Sequence, residues 1–147
     1  MKKYSFLLII SAFILVGCDV GDDSVSLSNE VPQSQECDST HPLVGESREL
    51  PVSTTYGVRG TVTIVSDCEI RFTNFFYNGF GPAVSVYGAN NGNFDEGISL
   101  SERLNGRRFE DETLTVFLPE GRTLDEINSF SIWCFEFDID FSSVNFQ

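Results

Sequence analysis

The chain has 147 residues and a formal net charge of −13 at pH 7, from 9 Lys and Arg against 22 Asp and Glu. So acidic a chain repels phosphate backbones, which excludes nucleic acid as a partner, and it avoids anionic lipid surfaces. The length allows one domain plus a tail.

The first twenty residues read as an export signal. Lys2 and Lys3 make a short positive segment, and Tyr4 to Val16 are apolar apart from Ser5 and Ser11. Leu15-Val16-Gly17-Cys18 follows, so residues 1–17 have the layout of a secretory signal peptide. The apolar run is shorter than the roughly 20 residues of a membrane span. Leu-Val-Gly-Cys resembles the lipobox of bacterial lipoproteins, whose cysteine becomes diacylated and N-terminal. The resemblance implies a lipid on Cys18, firm attachment through several acyl chains, and a place in the cell envelope facing the periplasm. Asp19 resembles the enterobacterial signal for inner-membrane retention. Without Lys2 and Lys3 the balance is 7 Arg against 22 acids, near −15.

Residues 18–55 are rich in Asp, Ser, Glu, Pro and Gln and contain no aromatic residue. Such a segment buries too little surface to offset its ordering entropy, so a flexible tether is expected here. The folded domain is expected over residues 56–147. Thr61–Val65 and Cys68–Thr73 alternate, with Val62, Ile64, Cys68, Ile70 and Phe72 on one parity. Period two with β-branched residues predicts two half-buried strands, joined by a turn at Ser66-Asp67. Asn78-Gly79-Phe80-Gly81-Pro82 is a dense turn signal. Ala83–Tyr87 then reads as a strand, Asn90–Gly97 as a loop and Ile98–Leu104 as another strand. Thr113–Leu118 is a strand stopped by Pro119. Thr123–Glu126 has capping-box spacing, which predicts one helical turn. The last strand is expected from Phe130 to Phe141, with Trp133, Phe135, Phe137, Ile139 and Phe141 facing the core. Cys134, Glu136, Asp138 and Asp140 then share an acidic face. Many short strands at this spacing predict an all-β fold, a compact sandwich or barrel of short antiparallel strands.

Chemistry-bearing patterns are few. A Ser-His-Asp arrangement would need His41, the only histidine, which falls in the tether. No catalytic constellation stands out. Asn91, Asn93, Asp95, Ser99 and Glu102 fall at calcium-loop spacing. Asn91, however, replaces the first aspartate and Glu96 the turn glycine, so no metal is assigned.

With Cys18 lipidated, Cys37, Cys68 and Cys134 remain. In an oxidising compartment two of them are expected to bond, leaving an odd one and three possible pairings. Strand positions favour Cys68 with Cys134, leaving Cys37 as a free thiol. That closure would restrict the unfolded chain by roughly 4 kcal/mol. Such a bond is either a structural staple or a reversible redox pair.

A series of short motifs runs through the domain. Gly57-Val58-Arg59-Gly60-Thr61-Val62 leads to Asp67-Cys68, Asn74-Phe75, Tyr77-Asn78-Gly79 and Gly81-Pro82-Ala83-Val84. Leu118-Pro119 and Ile132-Trp133-Cys134 close it. The series resembles the electron-transfer DM-thirteen domain, from Tyr56 to Phe146. The resemblance implies a β-rich domain of the kind found beside DOMON domains in extracellular redox proteins. It also implies a redox role for Cys134, as a bare thiol or as a ligand to a group such as haem. The family pattern places a histidine before the opening Gly-Val, where this chain has Tyr56. With no Cys-x-x-Cys-His site, a haem would have to rely on the Cys134 thiolate or a tyrosine, and no cofactor is expected. The reading is a lipid-anchored envelope protein with an electron-transfer or thiol/disulfide role centred on Cys134, acting with an unidentified redox or protein partner. The alternative is a non-enzymatic ligand-binding or envelope-interaction module with a purely structural disulfide.

Overall fold

The computed structural model describes residues 36–147. The signal segment, Cys18, Asp19 and the tether up to residue 35 lie outside the described residues. The described chain is nearly all β. The strands are β1 (Ser47–Ser53), β2 (Val58–Ile64), β3 (Glu69–Tyr77), β4 (Val84–Ala89), β5 (Ile98–Ser99), β6 (Phe109–Phe117), β7 (Ser129–Cys134) and β8 (Ile139–Asn145). They form two antiparallel sheets, ordered β1-β2-β3-β6 and β5-β4-β7-β8. The sheets face one another as a sandwich, with β1 alongside β8, where the Ser142 hydroxyl donates to the Pro51 carbonyl at 2.7 Å.

The expected alternation builds the first sheet. Val62, Ile64, Cys68, Ile70 and Phe72 are all buried, and their neighbours of opposite parity are partly exposed. Ser66 turns the hairpin, its hydroxyl accepting from the Cys68 and Glu69 amides. The pattern then slips. Asn74 takes a left-handed conformation (φ 49°), the β3 register shifts against both neighbours, and Phe75 and Tyr77 become the inward residues. A bulge therefore switches which parity faces the core.

Three expectations need correction. First, β1 lies inside the segment read as tether. Leu50 is its one buried residue, and the run is polar enough to read as unstructured. β1 pairs along β2 from Ser47 to Ser53, so backbone pairing and Leu50 order what composition alone would not. Second, the strand expected over Ile98–Leu104 shrinks to Ile98–Ser99. Leu100 and Leu104 still send their amides to the Val86 and Val84 carbonyls, so the segment follows β4 without a regular ladder. Third, the last strand breaks into β7 and β8, with a turn at residues 135–138. In that turn Phe137 N–H donates to the Cys134 carbonyl and Asp138 is left-handed (φ 51°).

The expected faces are reversed in β7, while Phe141 of β8 lies in the main core and Ile139 packs against it, as expected. Phe130, Ile132 and Cys134 point into the main core. Ser129, Ser131 and Trp133 lie on the outer face, where Trp133 packs in a small cluster with Ala89 and Phe94. The Phe94 ring, from the 90–97 segment, lies tilted beside Trp133 with centroids 5.6 Å apart. All six β7 residues are buried because both faces of the strand are covered. The helical turn expected at Thr123–Glu126 is present as a single turn, with the Ile127 and Glu126 amides donating to the Thr123 carbonyl.

Candidate functional site: a buried thiol at one end of the sandwich

Cys134 is the last residue of β7, opposite Val84 on one side and Ile139 on the other. It is 1 % exposed and is the cysteine outside any disulfide among the described residues. Past it, Phe135 N–H donates to the Ala83 carbonyl, holding the outgoing turn against the incoming loop.

Tyr77, from the facing sheet, closes over this end of the core. Its ring is fully buried and its hydroxyl donates to the Phe80 carbonyl. Burial, followed by the charge of a Cys134 thiolate, pushes its phenol up to about 12. Its ring centroid lies 6.4 Å from Phe109 and 6.4 Å from Phe141. Phe141 in turn stacks flat on Tyr56, with centroids 4.1 Å apart and planes 2° from parallel. Tyr56 is thus the outer member of an aromatic file leading to the sulfur's surroundings.

The raised phenol gives a test. The unfolded value is near 10 and the folded value about 12, so the folded state holds the proton longer. The associated stability is present below about pH 10 and is lost between about pH 10 and 12, by roughly 2–3 kcal/mol. Tyr77→Phe should remove that part of the alkaline slope in denaturant titrations. An unchanged slope would mean that Tyr77 ionises freely.

The structure pairs Cys37 with Cys68, with Cα atoms 5.5 Å apart, and this corrects the expected Cys68–Cys134 bond and the free Cys37. Distance is the reason. Cys68 precedes β3 and Tyr77 ends it, beside Cys134. Nine strand residues span about 30 Å, far beyond the roughly 4.4–6.8 Å a disulfide allows. Cys37 reaches Cys68 because its segment is laid down locally. Asp38 N–H donates to Asp67 Oδ1 at 2.7 Å, and Asp67 N–H to the Asp38 carbonyl at 2.9 Å. His41 lies at this end too, with Nε2 3.4 Å from Asp125 Oδ1.

Among the described residues, Cys37, Asp67 and Cys68 are the group whose donor atoms converge closely enough for a metal, and the disulfide takes both sulfurs. In the stretch with calcium-loop spacing, Asn93 donates to Glu96 and the Ser99 hydroxyl donates to the Ser101 carbonyl. Tyr77 is the site residue that sequence reasoning missed, and its signal was the Asn74 bulge; Phe141 faces the core as expected.

Two antiparallel sheets with one buried thiol outside any disulfide among the described residues define a small all-β module. The family model described as "Electron transfer DM13" matches residues 50–146, and the chain belongs to that family. It is similar to Protein Skeletor of Drosophila melanogaster, being 33 % identical over 115 residues to isoforms B/C and to isoforms D/E. The match takes in 74 % of this chain but 15 % and 8 % of those proteins, so the chain spans a small part of their length. No solved structure matches significantly.

Proposed function

We propose that this chain is a lipid-anchored, periplasm-facing electron-transfer module whose redox centre is the Cys134 thiol, working without a resident cofactor. The observation that carries the reading is a free sulfur, 1 % exposed, on a family named for electron transfer. Burial selects the chemistry. Thiol–disulfide exchange needs one sulfur to attack another at contact, and a sealed sulfur offers no approach. An electron needs no such contact. In the proposed step the thiol gives one electron to a one-electron oxidant on the partner and its proton to water. A one-electron donor then returns an electron to the sulfur radical, which takes a proton back from water to restore the thiol. The Cys37–Cys68 bond, at the opposite end, acts as a staple. The lipid anchor rests on Leu15-Val16-Gly17-Cys18, and the periplasmic address follows from it.

Burial also favours the second reading, a binding module in which Cys134 is a small apolar filler, since structural buried cysteines are inert. Two variants separate the possibilities. Photo-oxidation of the purified chain by a ruthenium polypyridyl complex, with a sacrificial acceptor, should give a radical signal in frozen samples that Cys134→Ser removes. A full signal in that variant would hand the site to the second reading. Cys18→Ala should lose lipid label and leave the membrane fraction, and retention there would sink the anchor.

A further inference from the structure

Two large aromatic side chains stand in solvent, Phe80 at 77 % exposure and Phe137 at 61 %. A lone exposed phenylalanine needs no explanation, but two on neighbouring fastened turns do. Both turns lie over the Cys134 end, because their flanking residues Ala83 and Phe135 are hydrogen-bonded to each other.

The Phe80 turn is built to present its side chain. The Phe80 amide donates to Asn78 Oδ1 at 2.9 Å, and its carbonyl accepts from Tyr77. Gly79 is left-handed (φ 83°), its carbonyl accepts from the Gly106 amide, and a Cβ there would fall 2.6 Å from the Arg107 carbonyl. A Cβ at Gly81 would fall 2.7 Å from Val84 and 3.3 Å from Phe141. The loop backbone is therefore pressed onto the core while the Phe80 ring points away from it.

Unpaired charge at this end leans acidic, two carboxylates against the guanidinium of Arg103. Glu136 and Asp138 are exposed beside Phe137 and have no ion-pair partner among the described residues. The nearby cations Arg107 and Arg108 are neutralised by Glu112 and Glu110, and Arg103 lies over the Phe135 ring. A second copy of a chain at −13 is repelled, so self-association is not the use of this surface.

We propose that the Phe80/Phe137 end is the docking face for a basic partner protein, the two rings forming an apolar centre and Glu136 and Asp138 an acidic rim. A small aromatic centre with a charged rim suits a transient contact, in which steering sets the association rate. The partner's redox character rests on the reading of Cys134 above. The place of docking rests on the surface itself.

The test is titration of the isotope-labelled full chain with a small basic c-type cytochrome, followed by NMR. Binding should map to residues around Phe80 and Phe137 and weaken roughly tenfold or more between about 20 and 200 mM salt. Phe80→Ser and Phe137→Ser should each weaken it roughly tenfold, with melting temperatures unchanged because both rings are exposed. Glu136→Gln with Asp138→Asn should flatten the salt dependence, whereas Glu120→Gln with Glu126→Gln, at the opposite end, should not. Cys134→Ser should dock as the parent does. Loss of its radical signal with docking intact supports both readings, and docking failure with the signal intact overturns only the docking face. The docking face is also overturned if the cytochrome fails to bind at low salt, if both phenylalanine variants bind normally, or if neutral phosphatidylcholine vesicles are captured through the two rings.

Discussion

Cys37→Ser is expected to lower the free energy of unfolding by about 3–4 kcal/mol. The bond joins residues 31 apart, and in the chain-entropy model a loop of that size restricts the unfolded state by about that amount. The native state should keep its shape. Gly45 N–H still donates to the Ile64 carbonyl at 2.8 Å, and Ile64 N–H to Glu46 at 3.0 Å, so the segment stays zipped to β2. Urea unfolding checks the size of the loss, and reduced parent protein should match the variant. Peptide mapping of unreduced protein should return Cys37 joined to Cys68 and Cys134 as a thiol. A variant within about 0.5 kcal/mol of the parent would show that the bond is not a staple.

Phe141→Ala should cost about 3–5 kcal/mol, the range for truncating a buried phenylalanine. Phe141 holds the flat stack with Tyr56, borders Tyr77 and lies under the Gly81 backbone. Removing its ring therefore hollows the core at the Cys134 end. A second effect should follow. In the parent, a thiol reagent should label Cys134 only as fast as the protein opens. In the variant, labelling should proceed from the native state, because the void gives the reagent a path. Phe141→Leu, which refills much of the space, should restore most of both. If Phe141→Ala is destabilised but its thiol stays closed, the ring packs the core without sealing the sulfur.

Much of the first sheet was legible in the sequence, because its two central strands expose one face and period two survives. The inward set from Val62 to Phe72 is buried as expected. Where the chain bulges, parity fails. Nothing in Thr73-Asn74-Phe75 announces a one-residue insertion, apart from an asparagine that tolerates a positive φ. The second sheet was harder to read. β7 is covered on both faces, so alternation no longer marks which side is the core. Reading outward from Trp133 placed Cys134 on the acidic side. Reading from the strand's start would have placed it with Phe130 and Ile132, opposite Ser129 and Ser131. The cysteine pairing failed for a different reason. Composition made residues 18–55 a tether, yet in its described part backbone pairing to β2 and the Asp38–Asp67 bonds set Cys37 beside Cys68. Contacts of that kind are long-range and leave no mark in local sequence.

The outer flank of β6 has a consequence for how many of these molecules can crowd one surface. β3 pairs with one side of this nine-residue strand, and among the described residues no strand is paired to its other side. A free row of amides and carbonyls is a template on which another molecule's strand could grow into a continuous sheet. Here the row carries Glu110, Asp111 and Glu112, and Asp111 turns left-handed (φ 55°), which breaks the row near its start. A second β6 arriving in line would meet a mismatched backbone there, beside side chains already engaged with Arg59, Arg107 and Arg108. The kink at Asp111 therefore works against in-line growth of a sheet from this edge.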